Sequence, residues 1–125
     1  MAKILVADDE MDVGLIVTER LRRNGHEVDY ASNGNQAVQR VDEQVYNLLI
    51  LDVHMPGHTG YQVCEYSKKS EKNSRTPVLM ISAFPEEQST WRQSHADAFL
   101  AKPFETGQLV AEVDRLIKGA VSTEG

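Results

Sequence analysis

The sequence predicts an α/β domain in which helices cover both faces of a five-stranded parallel sheet. Short apolar runs closed by charged or turn residues are typical of strands buried on both faces. These runs alternate with stretches whose apolar residues recur at helical spacing. Because the alternation repeats five times, it favours a parallel sheet with right-handed crossovers. The chain has 125 residues, which suits one domain, predicted over 1–120, with a flexible tail at 121–125.

Five strands are predicted, and four of them are continuous apolar runs. The exception is the second strand, whose weak alternation indicates a half-exposed edge of the sheet. The predicted strands cover residues 4–7, 26–31, 48–51, 78–81 and 98–101.

Helices are predicted between and after these strands. The first has Asp12 as a candidate N-cap and ends before Asn24-Gly25. The second follows a predicted turn at Asn33-Gly34 and ends before Tyr46, and the third covers 61–69. The fourth, within 86–94, is weakly patterned because Trp91 is its only large apolar residue. The last helix contains the apolar positions 109, 110, 113, 116 and 117.

Composition narrows the functional classes. Thirteen basic residues against 19 acidic ones give a net charge of −6, which disfavours non-specific binding to nucleic acid or to an anionic membrane. No apolar run is long enough to span a bilayer, and the charged start does not resemble a signal peptide. The single cysteine, Cys64, allows no internal disulfide and is expected in the core, so we expect a cytoplasmic protein.

The predicted strands end in residues that carry chemistry. Asp8 and Asp9 follow the first strand, Asp52 the third, Ser82 the fourth and Lys102 the fifth. In a parallel sheet these ends share one edge, where ligands of open α/β folds bind. Three gathered carboxylates repel one another unless a hard cation such as Mg²⁺ lies among them. Mg²⁺ with a hydroxyl and an ammonium suits phosphoryl chemistry, and a carboxylate such as Asp52 can form an acyl phosphate.

These motifs together resemble the receiver domain of two-component response regulators, the CheY-like family. The resemblance covers about residues 3–118 and is carried by four separated motifs: Asp8-Asp9, the Asp52-x-x-Met-Pro-Gly loop, Ser82-Ala83 and Lys102-Pro103-Phe104. It implies a flavodoxin-like fold with sheet order 2-1-3-4-5. It also implies a signalling switch rather than a metabolic enzyme, although such a switch catalyses its own phosphorylation and dephosphorylation.

The resemblance implies a role for each site residue. Asp52 would accept a phosphoryl group from a histidine kinase or a phosphotransfer protein. Asp9 would bind Mg²⁺ directly and Asp8 mostly through water, with Asp52 and the backbone carbonyl of His54 completing the protein ligands; Mn²⁺ is an alternative metal. The output would be read by an unknown downstream partner or by a missing output domain.

Further implied roles concern the switch. Ser82 would hydrogen-bond the phosphoryl group, and Lys102, preceding a cis peptide bond to Pro103, would form an ion pair with it. Phe99 occupies the aromatic switch position. It would turn inward as Ser82 moves, reshaping the face formed by the fourth helix, fifth strand and fifth helix of the family.

The sequence departs from the family at three places. His54 and Phe84 occupy variable positions that influence hydrolysis of the phosphoryl group; Phe84 is predicted to hinder the attacking water, and His54 to shield or orient it. The segment 83–96 is about two residues shorter than usual, with loops tolerating such changes. His95 stands where glycine is common after the fourth helix. We therefore predict a short or irregular fourth helix.

Three other functions remain to be weighed. A receiver-like module that docks without phosphorylation has the same site residues. A haloacid dehalogenase-type phosphatase also uses a strand-end aspartate, but it needs a second acid where this chain has His54. An FMN-binding flavodoxin needs a hydroxyl-rich phosphate loop where this chain has Asp8-Asp9-Glu10, which would repel phosphate.

Overall fold

The sheet has five parallel strands in the order β2-β1-β3-β4-β5, as predicted. The computed structural model describes residues 2–84, 86 and 91–122. Every predicted strand is present, with ends within one residue of the prediction. The strands are β1 (Lys3–Ala7), β2 (Glu27–Ala31), β3 (Leu48–Asp52), β4 (Val78–Ser82) and β5 (Ala98–Ala101).

Four α-helices in the described residues cover the two faces of the sheet. They are α1 (Met11–Arg23), α2 (Gly34–Glu43), α3 (Gly60–Lys69) and α4 (Thr106–Ser122). Alternate residues of each central strand point to opposite faces, so Ile4 packs with α1 and α4 whereas Leu5 packs with α2 and α3. We call these two layers the α1/α4 core and the α2/α3 core. No helix in the described part of the chain is long and apolar enough to cross a membrane.

Two helix starts differ from the sequence prediction. Asp12 is not an N-cap, because α1 begins one residue earlier and Glu10 occupies the cap position without a side-chain capping bond. Asp12 lies in the first turn instead, where its charge still favours the helix dipole. Asn33-Gly34 is not a free turn but the start of α2, since the Asn33 side chain accepts a hydrogen bond from the Gln36 N–H.

The described residues just before β5 contain a 3₁₀ turn, Trp91–Ser94. Residues 85 and 87–90 of the predicted fourth-helix region lie outside the described residues, so a short or irregular fourth helix stays a prediction. His95 follows with a φ of 69°, the left-handed conformation that glycine adopts more easily. Cys64 is buried in the α2/α3 core, as predicted, and its thiol donates to the Ser94 carbonyl at 3.4 Å.

The end of the chain continues α4. This helix extends to Ser122, two residues into the predicted tail. Residues 123–125 lie outside the described residues, so a flexible tail there stays a prediction.

Candidate functional site

Four of the predicted site residues meet at the carboxyl edge of the sheet. Asp52 and Ser82 are the last residues of β3 and β4, and Asp8 and Lys102 directly follow β1 and β5. The strands that end in Asp52 and Ser82 are direct neighbours in the sheet. Asp8 and Asp52 are 0% and 4% exposed, so two carboxylates are withdrawn from solvent at this edge.

Lys102 is the cation that holds these acidic groups together. Its Nζ lies 2.6 Å from Glu10, 3.0 Å from Asp8 Oδ2 and 3.2 Å from Asp52 Oδ2. Burial by itself lowers the pKa of Lys102, but the hydrogen bonds to Glu10 and Asp8 and the charge of Asp52 outweigh burial and raise it. Lys102 is therefore charged at every physiological pH and offers a fixed positive charge beside Asp52.

The surroundings of the Asp52 carboxyl group disfavour its charged form, in contrast to those of Lys102. Its pKa is raised to about 7, first by burial and then by the charge of Asp8 and a hydrogen bond with it, while Lys102 opposes this shift. One ammonium thus compensates only part of the negative charge, and a further cation or a proton would relieve the remainder.

The donor set fits a hard divalent cation. Asp8, Glu10 and Asp52 each offer a carboxylate oxygen, and these oxygens lie within 4.8 Å of one another. The buried Asp8 Oδ2 forms an ion pair with Lys102 Nζ at 3.0 Å, a contact that lies outside good hydrogen-bond geometry. This carboxylate oxygen can still coordinate a metal ion. Mg²⁺ and Mn²⁺ prefer sites in which all the ligands are oxygen atoms.

Glu10 is the site residue that sequence reasoning missed. Asp9 is exposed and lies outside this carboxylate cluster, whereas Glu10 is a member and contacts Lys102. The only signal in the sequence was its position two residues after Asp8, and the chain bends at Asp9 so that Glu10 reaches Lys102. The predicted role of Asp9 as a direct metal ligand stays a prediction.

Two aromatic rings stand beside the site. The His54 and Phe84 ring centroids are 4.3 Å apart with the planes tilted by 55°, and both side chains are exposed. The Phe84 N–H donates to Ser82 Oγ at 3.0 Å, which ties this pair to β4. The Lys102–Pro103 peptide bond is cis.

Phe99 of β5 contacts Trp91 in the 3₁₀ turn that precedes this strand. It lies on β5, is half-buried against the α2/α3 core, and stacks on Trp91 with centroids 6.3 Å apart and planes at 17°. The guanidinium of Arg92 lies 5.0 Å from the centre of the Trp91 ring. Phe99 thus has one side on the core and the other on a surface tryptophan.

Comparison with known proteins gives a consistent result. The sequence model of the family described as response regulator receiver domain matches residues 4–114. The phosphate regulon regulatory protein PhoB of Rhizobium meliloti is 33% identical over 122 residues, covering 96% of this chain and 54% of the relative. ResD of Bacillus subtilis is 32% identical and is covered over 50% of its length. The chain therefore spans about half the length of these curated relatives.

Solved structures agree with the sequence matches. TrrA from Thermotoga maritima, in complex with Mg²⁺-BeF, is 32% identical with a TM-score of 0.83, covering 93% of this chain and 99% of TrrA. A CheY-like receiver domain from Methanospirillum hungatei has a TM-score of 0.90 at 20% identity, covering 100% of this chain and 99% of that one, and supports the fold alone.

Proposed function

The chain belongs to the response regulator receiver domain family, and we propose that Asp52 accepts a phosphoryl group from a histidine kinase or phosphotransfer protein. One observation carries the proposal. The buried Asp52 carboxylate lies 3.2 Å from the Lys102 ammonium at the carboxyl edge of the sheet, with Asp8 in the same cluster. A strand-end carboxylate beside a fixed cation is suited to nucleophilic attack on phosphorus.

In the proposed reaction, a carboxylate oxygen of Asp52 attacks the phosphorus of a phosphohistidine. The new O–P bond forms as the N–P bond breaks, and the electron pair of the broken bond remains on the histidine nitrogen. Lys102 stabilises the negative charge of the transferring group, and the Ser82 hydroxyl donates a hydrogen bond to a phosphoryl oxygen. Hydrolysis, with water as the attacking group, returns the Asp52 carboxylate and free phosphate.

A divalent metal completes the proposed site. Asp8, Asp52 and the backbone carbonyl of His54 would hold Mg²⁺ or Mn²⁺, together with Asp9 or Glu10. A bound metal would supply positive charge to the phosphoryl oxygens during transfer of the phosphoryl group. The carboxylate cluster supports this assignment, with Glu10 rather than Asp9 close to Lys102.

The domain is proposed to act as a switch whose partners lie outside it. The matched curated relatives are described as transcriptional regulators about twice the length of this chain, so either an output domain or a separate partner would read the phosphorylated state. Phosphorylation would move Ser82 and Phe99 and reshape the surface around Trp91, β5 and α4. Family membership also supports a cytoplasmic location and a receiver domain over residues 1–120.

We assign His54 and Phe84 to tuning of hydrolysis. Phe84 would hinder the attacking water, and contact between the rings means that removing one releases the other. We expect Phe84→Ala to accelerate dephosphorylation several-fold, with the effects of Phe84→Ala and His54→Ala failing to add in the double variant. Unchanged dephosphorylation in both single variants would remove the assignment.

Intact mass after incubation with Mg²⁺ and acetyl phosphate tests the proposed function. We expect one added phosphoryl group on the parent chain and on Asp114→Asn, an exposed aspartate of α4 that serves as the control, and none on Asp52→Asn. No adduct on the folded parent would favour the docking module that needs no phosphorylation. An adduct on Asp52→Asn would mean that another residue is the acceptor.

A further inference from the structure

Tyr30 contacts the acidic loop from the edge of the sheet. It lies on β2, and its hydroxyl donates to the main-chain oxygen of Asp8 at 2.6 Å. The N–H of Asp8 donates in turn to the Ala31 carbonyl at 3.1 Å. Both backbone polar groups of this buried acidic residue are therefore held by one strand, just where the chain leaves β1 and enters the candidate metal site.

The Tyr30 ring fits against α1 because residue 14 is glycine. A Cβ atom at Gly14 would lie 2.2 Å from Cε1 of the Tyr30 ring, far inside van der Waals contact. Glycine inside a helix costs about 1 kcal/mol relative to alanine. The close approach of the ring therefore explains why a buried position of α1 is occupied by glycine. The half-buried ring also packs on the α1/α4 core.

The Tyr30 hydroxyl remains a donor over the physiological range. Burial raises the pKa of Tyr30, and the negative charges of Asp8 and Asp9 raise it further. A neutral phenol in this position can donate to a carbonyl, whereas a phenolate could not.

The bond to the Asp8 carbonyl fixes more than one residue. The carbonyl of Asp8 and the N–H of Asp9 belong to the same planar peptide unit, so a group that holds one orients the other. Beyond this unit, the N–H of Glu10 donates to Asp8 Oδ1 at 2.9 Å. Tyr30 thus holds in place the short segment from Asp8 to Glu10, which follows β1 and supplies acidic side chains to the site.

We propose that Tyr30 is a positioning residue for the divalent metal of this site. Its hydroxyl holds the Asp8–Asp9 peptide in the orientation that directs the Asp8 carboxylate toward Asp52 and Lys102. Without this bond the acidic segment samples other orientations, and the metal must select the competent one at a cost in affinity. The inference rests on the proposed function and adds to it a residue that touches neither metal nor phosphoryl group.

Tyr30→Phe tests the inference because it keeps the ring and removes only the hydroxyl. The matched control is Tyr46→Phe, which removes a hydroxyl that donates to Asp29 Oδ2 at 2.8 Å. Mg²⁺ alone is titrated into each protein, followed by backbone amide shifts in NMR spectra. We expect the dissociation constant to rise about tenfold in Tyr30→Phe, as for removal of groups that orient metal ligands, and to stay within about twofold of the parent in Tyr46→Phe.

A second variant and a second readout separate positioning from a general loss of structure. Gly14→Ala keeps the hydroxyl but displaces the ring, so it should also weaken Mg²⁺ binding. Phosphorylation of Tyr30→Phe by acetyl phosphate should be slow at low Mg²⁺ and recover at saturating Mg²⁺. Parent-like Mg²⁺ affinity in Tyr30→Phe, or slow phosphorylation that persists at saturation, would overturn the inference. A parent that binds no Mg²⁺ would instead count against the proposed function.

Discussion

At the scale of single residues, Asp52 carries a charge that the folded chain does not favour. Its pKa is raised to about 7 by burial and by Asp8, against 3.8 for the free side chain. The native state therefore binds more protons than the unfolded state between these values. Relative to an unperturbed aspartate, stability is fully present below about pH 4 and is lost as the pH rises through about 7. The Asp52 carboxylate is thus destabilising at neutral pH when no metal compensates it.

Asp52→Asn should consequently stabilise the metal-free protein in a pH-dependent way. The substitution removes the unfavourable charge and keeps the shape, so we expect the free energy of unfolding to increase by about 1–3 kcal/mol at pH 8. Near pH 4 the gain should be much smaller, because the carboxyl group is then substantially protonated in the unfolded chain as well as in the folded one. Urea unfolding in a metal chelator measures both values. The exposed Asp114→Asn is the control, and a gain at Asp52 that is equal at both pH values would contradict this account.

The site residues that lie at strand ends could be predicted from the sequence, because the topology of the sheet determines where those ends lie. Asp8, Asp52, Ser82 and Lys102 were expected together because each ends or directly follows a predicted strand, and parallel strands bring their carboxyl ends to one edge. Glu10 was not predictable in the same way, since a charged residue after a strand has many ordinary uses. The bond from Tyr30 to Asp8 joins residues 22 positions apart, and no local pattern reports such a contact.

At the scale of elements, the start of α3 is packed directly against β3, the strand that ends in Asp52. Thr59 and Gln62 form a reciprocal capping box that fixes where the helix begins. A Cβ atom on Gly60, the first residue of α3, would lie 2.4 Å from the Asp52 carbonyl oxygen. Because that neighbour is backbone, neither element can move without displacing the other.

Gly60→Ala should therefore disturb both stability and function. We expect a loss of about 2 kcal/mol in the free energy of unfolding, typical of an overpacked core position, and slower phosphorylation by acetyl phosphate. The control is Gly107→Ala in the first turn of α4, where a Cβ atom meets nothing within 4 Å. That change should be neutral or stabilise by up to about 1 kcal/mol. Equal stabilities for the two variants would show that α3 can shift away from β3 without a loss of stability.

Helices and strands were predicted well where the apolar pattern of the sequence matches the observed burial. They were predicted poorly where tertiary contacts determine which residues are covered. The central strands are apolar throughout, so their limits were clear from the sequence. In α1, Ile16 shares the helical spacing of the buried Val17 and Leu21 but is 58% exposed, because the periodicity does not define how wide the covered face is. Before β5, the weak pattern agrees with the 3₁₀ turn Trp91–Ser94, and His95 has a positive φ at the position where glycine is common.

At the scale of the whole molecule, the site is connected to the surface through two neighbouring strands. Ser82 ends β4 and pairs in register with Ala101 of β5, and Phe99 lies two residues earlier on β5. Phe99 stacks on Trp91 in the 3₁₀ turn. If phosphorylation draws Ser82 toward the phosphoryl group and Phe99 inward, this stack has to open. The surface tryptophan would then lose the aromatic partner that covers it.

Trp91 should accordingly report the switch in solution. It is the only tryptophan of the chain, so its emission is unambiguous. On addition of Mg²⁺ and acetyl phosphate we expect the emission maximum of the parent to shift to longer wavelength, because the indole gains contact with water. Asp52→Asn should show no shift. Phe99→Leu removes the ring that stacks, so its emission should start near the shifted position and change little, while intact mass still records one added phosphoryl group. A full shift in phosphorylated Phe99→Leu would mean that the signal reaches Trp91 by a route that does not include Phe99.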